Sequence, residues 1–333
     1  LDSVILISSL STSGATVSTG QFITVIMSVI NAGAETGNFI NANALIPYGT
    51  GAATLLSMPA TQDVTLAQFA NETFTFTYSA SGAGTVWFSG NASGLDPNFG
   101  TVSSPLTSSI ATEIRGAVSL GTQISAMPAT VSTGQNITLV VSVTNNGTAG
   151  AYSVKPVTPV AVNSVYLTGP DPAEVTLSAG AAAVFEFVYT AASSGTVIFS
   201  TLVSGIDEFS GVTKTASANS NQVTIQNAAQ LSSSISAVPL TVKTNEDIIT
   251  VYMSVTNTGQ AQAVNVVPSL TATGTSLPIE TAGYPQPASA DLSAGQNIVF
   301  TWTFSAHGVG SLIFSGNASG TDTNSGFAVD SFI

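Results

Sequence analysis

The sequence predicts an all-β chain of three tandem antiparallel sandwiches, and three observations predict it. First, one passage is written three times. Ala15-Thr16-Val17-Ser18-Thr19-Gly20-Gln21 recurs letter for letter as Ala129-Thr130-Val131-Ser132-Thr133-Gly134-Gln135, and returns altered as Leu240-Thr241-Val242-Lys243-Thr244-Asn245-Glu246. A longer block from Gly84 to Asp96 matches the one from Gly310 to Asp322, with Gly195-Thr196-Val197-Ile198-Phe199 and Gly205-Ile206-Asp207 as its middle copy. The aligned Asp96, Asp207 and Asp322 stand 111 and 115 residues apart. That period is too long for a solenoid coil or propeller blade and suits a whole domain. Second, the apolar residues alternate with period two. Third, helix signals are missing: no 3.6-residue spacing is sustained, while β-branched residues and Gly/Asn/Ser turn clusters abound.

Each unit carries an alternating strand. Ile23, Val25, Met27 and Val29 form the first, Ile137, Leu139, Val141 and Val143 the second, Ile249, Val251, Met253 and Val255 the third. Thr and Ser hold most of the intervening positions. A slip of one residue would turn each apolar set out to solvent, so the shared parity sets the register. An aromatic ladder follows in each unit: Phe74, Phe76, Tyr78; Phe185, Phe187, Tyr189; Phe300, Trp302, Phe304. Alternation with Thr75, Thr77, Thr301 and Thr303 assigns these rings to a core rather than to a sugar-stacking face. About seven short strands per unit, bounded by turns, describe an immunoglobulin-like sandwich without the Cys…Trp…Cys signature of antibodies. The expected domains are 1–115, 116–228 and 229–333, joined by linkers too short to bend freely.

Between the two main strands of each unit lies an Asn-x-Gly turn: Asn31-Ala32-Gly33, Asn145-Asn146-Gly147 and Asn257-Thr258-Gly259. Gly or Asn is expected there for a positive φ. Together with Thr130-Val131-Ser132-Thr133-Gly134-Gln135-Asn136-Ile137-Thr138-Leu139, and with Leu177-Ser178-Ala179-Gly180 and Leu292-Ser293-Ala294-Gly295, this pattern resembles the CARDB-type repeats of bacterial and archaeal cell-surface proteins. The first unit departs from it with Leu66-Ala67-Gln68-Phe69. The resemblance implies the sandwich fold and a cell-surface setting. It implies no ligand, because its motifs are turn and core residues.

Composition narrows the function further. The 333 residues include only four Lys and Arg against 17 Asp and Glu, for a net charge of −13, and no Cys. Nucleic acid is excluded as a partner, since neutralising phosphates takes clustered basic residues. No run of 18 apolar residues could insert into a bilayer. With 6% charged residues, the surface must consist mostly of small polar and apolar side chains, which guard poorly against association. Neither a signal sequence nor an initiating Met is visible, which reads as a processed chain.

Chemical sites are sparse. His307 is the sole histidine, and its counterparts Ser81 and Ser193 make a turn position the better reading than a catalytic one. Two-histidine or cysteine metal sites are ruled out. Asp96-Pro97-Asn98-Phe99-Gly100 and Asp322-Thr323-Asn324-Ser325-Gly326 share a D-x-N-x-G spacing, so Asp96, Asn98, Asp322 and Asn324 are weak calcium candidates. The closing bidentate acid is missing, and a self-bonded turn explains the spacing better. Glycosylation candidates are the sequons at Asn71, Asn91, Asn136, Asn146 and Asn317.

The third unit is expected to be short of strand. Fifteen residues follow Gly211 to Gln226, but seven follow Gly326 to Ile333, so the second half of the last strand is expected from a longer polypeptide or from a neighbour. Val4, Ile5, Leu6 and Ile7 at one end and Phe327, Val329, Phe332 and Ile333 at the other are the assembly candidates, although alignment with Leu231 makes Val4–Ile7 equally the first strand of the first unit. The expectation is a non-catalytic extracellular structural protein. It would be the repeating subunit of a surface filament or sheath, with copies of itself as partners, glycans as further candidates and no cofactor. The alternative is the stalk of a larger adhesin. A carbohydrate-binding module ranks below both, with Trp87, out of phase with Val86 and Phe88, as its one candidate.

Overall fold

The computed structural model describes residues 2–280 and 284–331. It is all-β, with no helix among the described residues. The buried apolar residues gather into three clusters, drawn from residues 4–114, 118–225 and 229–318.

The same sheet opens each unit. In the first, Leu6–Thr12, Phe22–Asn31, Asn71–Gly82 and Ala52–Ser57 lie side by side in that order, all antiparallel. In the second the order is Leu120–Met127, Asn136–Asn145, Ala182–Ala191 and Ser164–Asp171. In the third it is Leu231–Val238, Ile248–Asn257, Asn297–His307 and Leu277–Glu280. The register pairs each apolar strand with its aromatic ladder: Val25 faces Phe76, Leu139 faces Phe187, Val251 faces Trp302. All of these are buried, and the interleaved Thr and Ser point away. Burying such a ring contributes roughly 1.5–3 kcal/mol. The last ring of the ladder is polar-tipped in units 1 and 2. Tyr78 Oη donates to Leu45 O at 3.2 Å, and Tyr189 Oη donates to Pro159 O, so neither hydroxyl is buried without an acceptor.

The opposite layer pairs Gly100–Ser103, Ala92–Asp96, Gly37–Ala42 and Val64–Leu66 in unit 1. Units 2 and 3 repeat it with Thr213–Asn219, Ser200–Asp207, Ala151–Pro156, Val175–Leu177, and with Ala328–Asp330, Leu312–Asp322, Ala263–Gly274, Ala290–Leu292. A closing strand completes the first two units. Thr112–Arg115 runs parallel to Thr16–Ser18 and antiparallel to Gly84–Gly90. Val223–Gln226 does the same between Thr130–Ser132 and Gly195–Val197. Thus the "second half" expected of the last strand is a separate strand. The chain leaves Thr213–Asn219, crosses over, and closes the far side of the sandwich.

The Asn-x-Gly turns work differently from the sequence expectation. None of these asparagines or glycines has a positive φ. The glycine is demanded by close approach: a Cβ on Gly33, Gly147 or Gly259 would lie 2.1–2.2 Å from the carbonyl oxygen of Ser3, Ala117 or Ala228. These carbonyls belong to the segment entering each unit, so the missing side chain lets that segment lie flat against the turn. The asparagine is fully buried. Asn145 Nδ2 donates to Ala149 O at 2.8 Å and Leu177 O at 3.3 Å, while its Oδ1 accepts from Gly147 N at 3.0 Å. Asn31 and Asn257 repeat this set.

Candidate functional site

The strongest polar constellations lie at the joints between units, and the same residues build both. Asp207 closes a hairpin at the edge of unit 2 and is 1% exposed. Its Oδ1 accepts from the Phe209 amide at 3.1 Å and the Ser210 amide at 2.9 Å, and Oδ2 accepts from the Val118 amide at 2.8 Å. The carboxylate therefore ties the hairpin to the residue where the chain enters the unit. A further donor comes from unit 1: Ser18 Oγ donates to Oδ1 at 2.8 Å. Gln21 Nε2 donates to Phe209 O at 3.0 Å, and the Ala117 amide donates to Thr19 Oγ1 at 3.0 Å. The Arg115 guanidinium sits 6.0 Å from the centre of the Phe209 ring.

The second joint repeats the first. Ser132 Oγ lies 3.1 Å from both oxygens of Asp322, Gln135 Nε2 donates to Asn324 O at 3.0 Å, and the Ala229 amide donates to Asp322 Oδ2 at 2.7 Å. Asn324 Nδ2 adds bonds to Ser132 Oγ and to Gln226 Oε1. Each glutamine is held in place by its own turn, its Oε1 accepting from the Ser18 or Ser132 amide at 2.6 Å. That turn needs a left-handed residue, supplied by Gly20 and Gly134 at φ 90° and 88°.

The written-out repeat thus has a physical role. Ser-Thr-Gly-Gln is the donor half of a clasp, and D-x-x-x-G of the following unit is the acceptor half. The signal was present in the sequence: the block is identical in units 1 and 2, which donate at the two joints, and altered in unit 3. There Lys243 stands where Ser18 and Ser132 do, and Glu246 replaces the glutamine. Those two side chains pair with each other at 3.7 Å across an exposed surface.

The carboxylates are biased to the charged form. Burial pushes the Asp207 carboxyl up, but the Ser210 and Val118 amides and the Ser18 and Ser210 hydroxyls outweigh it and hold the carboxyl at about 2. Asp322 is lowered in the same way, burial being outweighed by the Ala229 and Ser325 amides and the Ser325 and Ser132 hydroxyls. Asp96 is lowered as well, burial being offset by the amides of Val4, Asn98 and Phe99. At Asp96, Asn98 Nδ2 reaches Asp2 O and Glu35 Oε2, each at 3.2 Å.

These contacts place the calcium candidates in a different role. Asp96 and Asp322 spend their oxygens on N–H and O–H donors, while Asn98 and Asn324 act as donors through their side chains. Among the described residues no group of three or more His, Cys, Asp and Glu could hold a metal ion. His307 lies exposed at the end of Asn297–His307. Of the sequons, Asn71, Asn136, Asn146 and Asn317 are exposed. Asn91 is half-buried and bonded to Asn43 and Ser104. Trp87 is 38% exposed and stacks on Tyr48 with ring centres 6.3 Å apart.

The assembly candidates divide. Val4 and Leu6 are buried in the core of unit 1, while Ile5 and Ile7 are half exposed on its other face. Phe327 is 74% exposed and Val329 packs partly against the core of unit 3. Phe332 and Ile333 lie outside the described residues.

No family model matches the chain, and no curated protein does. Among solved structures, the Escherichia coli adhesin FdeC is matched at 14% identity and a TM-score of 0.28, over 97% of this chain and 95% of that one. The C-terminal domain of the Streptococcus agalactiae AgI/II polypeptide BspA is matched at 8% identity and a TM-score of 0.26, over 66% of this chain and 99% of that one. The secreted serine protease VesC of Vibrio cholerae is matched at 11% identity and a TM-score of 0.19, over 53% and 45%. At TM-scores this low none of them bears on what the chain does. No described helix is long and apolar enough to cross a membrane.

Proposed function

We propose that this chain is a non-catalytic, extracellular structural protein, an array of immunoglobulin-like units that serves as the stalk or spacer of a cell-surface assembly. One observation carries the reading: the two joints share a buried Ser–Asp hydrogen bond and a Gln-to-carbonyl hydrogen bond made by equivalent residues. A linker that only tethered two domains would need no repeated buried Ser–Asp bond. Reusing it at both joints would hold successive units at a fixed orientation, which is what a spacer requires. The resemblance to CARDB-type surface repeats and the near absence of basic residues support the same setting.

A second reading, the repeating subunit of a filament or sheath, is favoured by a surface nearly free of guarding charge. The Ser–Asp clasp is not its means of assembly. A copy stacked on unit 1 through that joint would bring Lys243 to Asp96, but would also set the Glu246 carboxylate, which cannot donate, against a carbonyl.

The spacer reading is tested by replacing Ser18→Ala, Gln21→Ala, Ser132→Ala and Gln135→Ala together and recording small-angle X-ray scattering. Each lost hydrogen bond is worth about 1 kcal/mol, so the units should remain folded while the maximum dimension broadens. An unchanged scattering profile would refute it. Electron microscopy of native material separates the two readings, since a helical polymer supports the filament and isolated rods support the stalk.

A further inference from the structure

We propose that Asn146 is a site of spontaneous modification beside the first joint, converting to aspartate and isoaspartate, and that the buried Asn145 next to it sets the rate. Asn146-Gly147 is the one Asn-Gly step in the chain; units 1 and 3 have Ala32 and Thr258 before the turn glycine. Glycine makes such a step labile, because it has no side chain to hinder its amide nitrogen as a nucleophile. In the reaction the Gly147 nitrogen attacks Asn146 Cγ. The new N–Cγ bond closes a succinimide ring, the Cγ–Nδ2 bond breaks, and ammonia leaves with the proton that the Gly147 amide gives up. Water then opens the ring at either carbonyl, which leaves aspartate or isoaspartate.

The turn exposes the leaving group and restrains the nucleophile. Asn146 is exposed, so water reaches it. The Gly147 amide, however, donates to Asn145 Oδ1 at 3.0 Å. Asn145 is fully buried and is itself held, with Nδ2 donating to Ala149 O at 2.8 Å and to Leu177 O and Ser178 O at 3.3 Å. The Asn146 carboxamide lies against Gly121, its Nδ2 standing 2.9 Å from where a Cβ there would be. The Asn146 amide is tied to Ser119 O at 2.7 Å. Attack therefore requires the turn to open, which frees the Gly147 nitrogen and lets Cγ swing to it. Such local openings are infrequent in a turn bonded this densely.

The place of the turn gives the reaction a consequence. It receives the chain as it leaves unit 1: the Ala149 amide donates to Gly116 O at 2.8 Å, the Gly116 amide to Thr148 Oγ1 at 2.5 Å, and Arg115 Nη1 to Thr148 O at 3.4 Å. A Cβ on Gly147 would stand 2.2 Å from Ala117 O, so the contact has no room for the extra main-chain carbon of isoaspartate. Conversion also adds a negative charge to a chain already at −13. The segment it loosens contains Val118, whose amide donates to Asp207 in the first clasp. The modification thus records how often the turn has opened and, once made, weakens the joint beside it.

The site does not depend on the spacer or filament reading, and its test is separate from theirs. The full, unglycosylated 333-residue chain and a synthetic peptide of residues 143–149, Val-Thr-Asn-Asn-Gly-Thr-Ala, are kept side by side in warm neutral buffer. Peptide mapping counts aspartate and isoaspartate at position 146 over time, and hydrogen exchange of the Gly147 amide is measured alongside. The chain should convert roughly tenfold or more slowly than the peptide. That slowing should be at least as large as the exchange protection of Gly147, since both processes need the same opening. Asn145→Asp keeps an acceptor for the Gly147 amide and should convert more slowly than Asn145→Ala, which has none. If circular dichroism shows either variant unfolded, the wild-type comparison with exchange decides alone. Equal rates in chain and peptide would overturn the proposal, and so would a slowing smaller than the exchange protection, which would mean that the closed turn reacts. So would an unconverted chain whose Gly147 amide exchanges freely after the peptide has reacted.

Discussion

Replacing Asp207 by Asn keeps the shape of the clasp and removes its charge, which turns the first joint into a measurable pH effect. Three amides and one hydroxyl converge on this carboxylate, and an amide side chain offers them one acceptor oxygen instead of two. The folded carboxyl titrates at about 2 against an ordinary value of 3.8. At 1.36 kcal/mol per pH unit that difference corresponds to about 2 kcal/mol, an upper figure because the rim of the joint is open to solvent screening. The folded value is the lower one, so the stabilisation is fully present above pH 3.8 and is lost as pH falls towards 2. Urea unfolding of wild type and D207N, read by tryptophan-independent circular dichroism at intervals from pH 6 to pH 2, measures it. The stability gap between the two proteins should hold steady down to about pH 4.5 and then close. A gap that stays constant to pH 2 would show that the Asp207 network does not hold the charge, and the clasp argument would fail with it.

Phe76→Ala, Phe187→Ala and Trp302→Ala remove equivalent rings, and each should cost about 3–5 kcal/mol of unfolding free energy in its own unit; unchanged melting temperatures would refute the core assignment. Gly147→Ala drives a Cβ to 2.2 Å from Ala117 O, so it should lower stability by roughly 2 kcal/mol or more, whereas the same change at Gly121, whose nearest contact is the movable Asn146 side chain, should cost less. Calcium should leave the melting temperature unaltered, because Asp96 and Asp322 already bind amide and hydroxyl donors; a loss on EDTA treatment that calcium restores and Asp322→Ala abolishes would overturn that reading.

The strands and their inward faces were legible in the sequence because their cause is local. Alternation of Ile23, Val25, Met27 and Val29 with polar residues is a property of a few consecutive positions, and in a strand it has one physical consequence, a buried face. The aromatic ladders were legible for the same reason, and threefold repetition made both readings hard to mistake. The turn glycines were found but misread: a short Asn-x-Gly segment fits a left-handed turn, and nothing local reveals that a carbonyl from the entering segment lies 2.1–2.2 Å from where a Cβ would be.

The clasp needed the tertiary structure. Ser18 and Asp207 are 189 residues apart, and no pattern within either neighbourhood says that one donates to the other. What the sequence by itself determined was that Ser-Thr-Gly-Gln persists in two units and changes in the third. Only the fold decided that the two unchanged copies mark the joints. The reason is that burial and hydrogen bonding between distant segments depend on where the chain returns, and that is set by the packing of whole sheets.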